Sequence, residues 1–164
     1  MTGAARDTRR QRFYDTERQI LALTDRPGGG AQTVQLAGAT LTVPADARFA
    51  SVESVQRYVD EVLALPSVTS RFPRAAVPVR VRRRRGERAA HYSPTDAEIA
   101  VPDGSRWALR ELVVLHELAH HLDDSSGPAH GRGFIETLID LVERVLGPET
   151  AFVYRVLVTD AGLM

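Results

Sequence analysis

The segment His116-Glu117-Leu118-Ala119-His120 constrains this chain more than any other. Leu112, Leu115, Ala119 and Leu122 recur around it at helical spacing, which predicts a helix with one buried flank. Four residues along an α-helix turn the chain about 400° and advance it about 6 Å, so both imidazoles stand on one face. Two rings so placed can share one tetrahedral Zn²⁺ at about 2.0–2.1 Å each. Glu117 lies about 100° round the helix, where it suits a general base on water better than a ligand. With five histidines in 164 residues, chance supplies such a pattern only about 0.01 times.

Composition narrows the chemistry. The chain has no cysteine, which removes disulfides, zinc ribbons, iron–sulfur clusters and thiol nucleophiles. His, Asp and Glu remain as metal ligands. The 21 basic residues, all arginine, balance 21 acidic ones, which argues against binding nucleic acid or an anionic membrane by bulk charge. The one basic run, Arg82 to Arg85 with Arg88 beyond it, lacks interleaved aromatics and reads as a solvated strand end. No apolar stretch approaches the ~18 residues that span a bilayer, and residues 1–12 carry no apolar core of a signal peptide. The expectation is a cytoplasmic protein of one domain, without membrane contact.

Along the chain, residues 6–24 read as a helix with Phe13, Tyr14, Glu17, Ile20, Leu21 and Leu23 as its stripe. A break at residues 27–30 leads to a hairpin over 33–43 that turns at Ala37-Gly38-Ala39. Residues 51–65 form a second helix capped by Ser51 or Ser54. Residues 77–85 alternate valine with arginine, a strand with one wet face, and 97–101 form a short strand. The motif helix is expected from about Arg106 to Leu122, capped by Asp103 or Ser105, with Trp107 as a packing residue. Helices over 133–146 and 149–158 follow, separated by Gly147-Pro148. The order is α+β.

A hydrolytic zinc site needs a third protein ligand and one open position. His121 points away from His120, and Ser126 stands where a third histidine six residues beyond the motif would be. The turn over residues 125–128 reverses the chain and brings His130 to the start of the next helix, which makes it the third ligand. Glu136, Asp140 and Glu143 are the fallback. Asp123 and Asp124 suit the orientation of a ligand imidazole. His91, Tyr92, Arg132 and Tyr154 can each donate to a developing oxyanion, with His91 and Tyr92 favoured because they lead into the strand over 97–101.

The motif, nine residues, and then His130-Gly131-Arg132-Gly133-Phe134 is similar to the zincin core of small bacterial metallopeptidases. SprT-like and minimal gluzincin-like proteins share H-E-x-x-H, a short turn, and H-G-x-x-F opening the next helix; that likeness covers about residues 105–146. The whole chain more closely resembles an actinobacterial family of HExxH-containing metallohydrolases, over residues 6–8, 14–17, 107–121 and 130–147. The resemblance implies a zincin-like α+β fold in which a small mixed sheet packs on the motif helix and further helices follow. It implies one such domain over residues 1–164: an N-terminal helix (1–26), a glycine-rich loop (27–32), a mixed α/β part (33–104) and a helical metal-binding part (105–164).

The expected activity is that of a metallopeptidase with one Zn²⁺ per chain held by His116, His120 and His130, and with Glu117 as base. The substrate is a peptide or protein, lying along an edge strand expected at residues 97–101. Two alternatives use the same residues: a non-catalytic module in which zinc ties helices together, and a hydrolase of non-peptide amides. The oligomeric state has no signature in the sequence.

Overall fold

The computed structural model describes residues 2–25, 29–86, 89–102 and 109–164. The expected caps Asp103 and Ser105, and Trp107, lie outside them. The chain is α+β, as its element order predicts, and divides into two compact units, Met1–Asp46 with Gly127–Met164 and Ala47–Ser126.

The unit Ala47–Ser126 carries the motif. Helix α2 (Val52–Ala64) begins at Ser51, whose hydroxyl accepts from the Ser54 amide at 3.1 Å while the Ser54 hydroxyl accepts from the Ser51 amide at 3.1 Å. This reciprocal pair satisfies two amides that a helix start leaves open. Pro66 forces Leu65 into extended backbone, which ends α2; the short helix α3 (Pro66–Thr69) and a 3₁₀ turn (Pro73–Ala76) follow.

Three strands form a mixed sheet: β3 (Arg80–Arg84), β4 (His91–Ser93) and β5 (Glu98–Pro102), in the order β3-β5-β4. β5 runs parallel to β3 and antiparallel to β4. Its consecutive residues Ile99, Ala100 and Val101 are all buried, so both faces of this strand are covered. The strand expected as a free edge is therefore the central one, and the antiparallel edge is β4. The outer side of β3 is held by a side chain: Gln56 of α2 accepts from the Val81 amide at 2.6 Å and donates to the Val79 carbonyl at 2.9 Å. An amide side chain here does the work of a further strand.

Helix α4 (Glu111–Leu122) starts later than the sequence predicts, because Arg110 is extended (φ −93°, ψ 144°) and bridges Arg48. The Phe49 amide donates to the Leu109 carbonyl at 2.9 Å and the Glu111 amide to the Ala47 carbonyl at 2.8 Å. Non-local backbone pairing outcompetes the local helical tendency. Of the residues of α4, all but Val113 and His120 are buried.

The other unit contains α1 (Thr2–Thr24), the hairpin β1 (Gln32–Leu36) and β2 (Ala39–Val43), α5 (Arg132–Leu146) and α6 (Pro148–Asp160). The hairpin turns at Ala37 and Gly38, both at positive φ (50° and 77°), as a two-residue hairpin turn demands. α1 buries Phe13, Ile20 and Leu21, together with Thr16 and Thr24, whose hydroxyls donate to the carbonyls of Arg12 (2.9 Å) and Ile20 (3.2 Å). α6 packs against α1, α5 and β2. Arg9 and Arg12 of α1 donate to the carbonyls of Leu163 (2.6 Å) and Ala161 (3.3 Å), fixing the chain after α6. No helix among the described residues is long and apolar enough to cross a membrane.

Candidate metal centre

His116 and His120 stand one helical turn apart on α4, with ring centroids 5.0 Å apart and Nε2 atoms 3.2 Å apart. Two nitrogens bound at 2.0–2.1 Å to one tetrahedral ion lie about 3.3 Å from each other, so the pair has the spacing an ion requires. His116 is 5% exposed, Glu117 between the two histidines in sequence is 7% exposed, and His120 is half-buried. The helix thus carries two imidazoles and a carboxylate in a largely water-excluded setting, where charge acts at longer range than in solvent.

His121 is fully buried and serves the fold. Its Nε2 lies 3.0 Å from the carbonyls of both Arg74 and Val77, and its Nδ1 lies 2.8 Å from the Tyr92 hydroxyl. Carbonyls only accept, so Nε2 carries the proton and Nδ1 accepts from Tyr92. Arg74 Nε returns a bond to the His121 carbonyl at 2.6 Å. Burial pushes the His121 imidazole below its usual range, against the opposing pull of the bond to the Arg74 carbonyl. A neutral ring here pins α4 to the 3₁₀ turn and to β4.

His130 precedes α5 and is 8% exposed. The Gly131 amide donates to the Pro128 carbonyl at 2.8 Å, which closes a turn with His130 in its third position at φ 61°. Type II turns demand positive φ there, and glycine is the usual occupant. A histidine in this region costs on the order of 1–3 kcal/mol and is kept only where its surroundings hold it. Gly131 has no alternative: a Cβ would lie 2.8 Å from the Pro128 carbonyl oxygen.

Among the described residues, one group of potential ligands lies close enough to share an ion: His116, His120 and His130, with one ligand atom from each within 4.8 Å of the others. No carboxylate joins it. Asp123 caps the end of α4 and accepts from the Ser125 amide at 3.0 Å, which commits it to the turn, and Asp124 is exposed. The fallback ligands are paired with arginines: Glu136 with Arg132 at 2.8 Å, Asp140 with Arg144 at 2.7 Å, and Glu143 with Arg155.

Of the expected oxyanion donors, His91 is exposed on β4, Tyr92 is buried with its hydroxyl on His121, Arg132 is exposed, and Tyr154 is buried on α6. Two residues that sequence reasoning left as helix core, Phe13 and Tyr14, face His130 with ring centroids at 5.4 Å and 5.1 Å. Their only signal in the sequence was two adjacent aromatics on one helix. Compared with protein-family models, curated proteins and solved structures, the chain finds no match.

Proposed function

We propose that this chain is a zinc-dependent hydrolase of peptide bonds, zincin-like in the arrangement of its motif helix, with His116, His120 and His130 as the metal ligands. The observation that carries the reading is the three-histidine group, with the 3.2 Å spacing of its first two nitrogens. A set of three neutral imidazoles with no carboxylate suits Zn²⁺ and leaves the fourth position for water or substrate. Bound zinc supplies Lewis acidity, polarising a carbonyl and bringing the pKa of a water down to about 7.

The protein's own contribution is the base. Glu117 follows His116 directly on α4, so its carboxylate is carried by the same rigid helix as two of the ligands. It takes the proton of the attacking water as the C–O bond forms, and passes it to the amine as the C–N bond breaks. A zinc site that only tied helices together would need no base beside it. The choice of a peptide rests on β4, a sheet edge packed against α4, along which an extended chain can add as a further strand.

The test compares the zinc-loaded protein with Glu117→Gln on a mixture of unstructured peptides, read by mass spectrometry. The expected outcome is cleavage that falls by about 10²–10⁴-fold in the variant while its zinc content is unchanged. Equal cleavage by both proteins, or cleavage insensitive to chelation, contradicts the reading.

A further inference from the structure

We propose that Phe13 and Tyr14, on the N-terminal helix, are positioning residues for the ligand His130: with Phe134 they form an aromatic cage that fixes its imidazole before metal arrives. This rests on the metal-binding reading above and extends it to a helix outside the motif.

Three rings enclose the imidazole. Phe13 stacks on it at 5.4 Å with 25° between the planes, Tyr14 tilts against it at 5.1 Å and 56°, and Phe134 meets it edge-on at 5.0 Å and 82°. The cage is itself packed, with Phe13 5.7 Å from Phe134 at 81° and 6.1 Å from Tyr14 at 60°. Successive helical residues diverge by about 100°, so two neighbours can touch the same ring only if it sits in the notch between them. Phe13 and Tyr14 do so. Phe134 belongs to the first turn of α5, which fixes it relative to His130 through the backbone. The Arg10 guanidinium lies 5.6 Å from the Tyr14 ring centroid and steadies that wall.

The backbone explains why a cage is needed. His130 sits at φ 61°, a conformation that its own chain does not favour. Without lateral support the turn can relax and the imidazole can leave its rotamer. Side-chain and backbone ordering would then fall on the metal-binding step and weaken it. With the cage in place the ordering is already complete in the folded protein. The packing of these three rings is what orients the imidazole.

The experiment uses the full chain and measures zinc affinity by competition with a chromophoric chelator, beside urea unfolding of the metal-free protein. Tyr14→Phe keeps the ring and is expected to stay within about twofold of the parent, whereas Tyr14→Ala and Phe13→Leu are expected to weaken zinc by about tenfold or more. Affinities are read in buffer where circular dichroism shows each variant folded, so a merely structural role leaves them unmoved. Cobalt put in place of zinc adds a second readout, since its visible bands follow ligand geometry and are expected to shift in Tyr14→Ala and Phe13→Leu but not in Tyr14→Phe. If Phe13→Leu fails to fold, the two Tyr14 variants decide alone. Parental affinity in Tyr14→Ala overturns the proposal, as does an equal loss in Tyr14→Phe, which would make the hydroxyl the active group. A parent that takes up no zinc overturns the metal site itself, an outcome distinct from a parent that binds zinc with variants that match it.

Discussion

The Tyr92 hydroxyl donates to Nδ1 of His121, 2.8 Å away, and thereby ties the edge strand β4 to the helix that carries the motif. The neighbouring histidines on α4 are divided by this bond into two roles. His116 and His120 face each other through Nε2, while His121 spends both ring nitrogens on the fold.

Tyr92→Phe leaves a buried acceptor without its donor, at an expected cost of about 1–3 kcal/mol in the free energy of unfolding. Urea denaturation checks this. Zinc stoichiometry is expected to match the parent, because Tyr92 bonds to His121 and not to a proposed ligand. Unaltered stability with lost hydrolysis would move Tyr92 from the fold to the reaction.

His121 also predicts a pH dependence. Burial holds its folded pKa below the ordinary 6.5. Between the folded value and 6.5 the unfolded chain binds a proton that the folded chain refuses, so stability falls as pH drops below about 6.5. Above that pH the group contributes no slope. Chemical unfolding of the metal-free protein from pH 5 to 8 is expected to show the fall, and His121→Gln, which cannot titrate, is expected to flatten it. An identical slope in the variant contradicts the assignment.

Gly131→Ala is expected to be costly far beyond its single methyl. The added Cβ would stand 2.8 Å from the Pro128 carbonyl oxygen, so the turn must open. Crowding of this kind costs about 1–3 kcal/mol, and displacing His130 is expected to weaken zinc by about tenfold. Thermal unfolding and chelator competition read the two effects separately.

Local features of this protein were legible in its sequence, and pairings across the chain were not. The cap of α2, at the first of the two serines the sequence offers, the hairpin turn, at Ala37-Gly38 with Ala39 already in β2, and the break at Gly147-Pro148 are each decided within a few residues. His116 and His120 belong to the same class, since their relation is fixed by one helical turn. The central place of β5 depends on strands on either side of it in space, which no local pattern reports. The late start of α4 has the same origin, in the bridge between Arg110 and Arg48. Phe13 and Tyr14 read as an ordinary helical stripe because their partner, His130, lies more than a hundred residues onward. The commitment of Tyr92 is of that kind too: its hydroxyl looks available until its partner His121, on another element, is known.

The most direct test of the central claim is the metal content of the purified protein, measured by mass spectrometry after zinc loading and dialysis, beside His116→Ala and His130→Ala. The three-histidine site predicts about one zinc per chain in the parent and strong loss in both variants, as expected for a site of three protein ligands. Zinc retained at full stoichiometry in His130→Ala would contradict the assignment of His130, and a parent that holds no zinc would contradict the account as a whole.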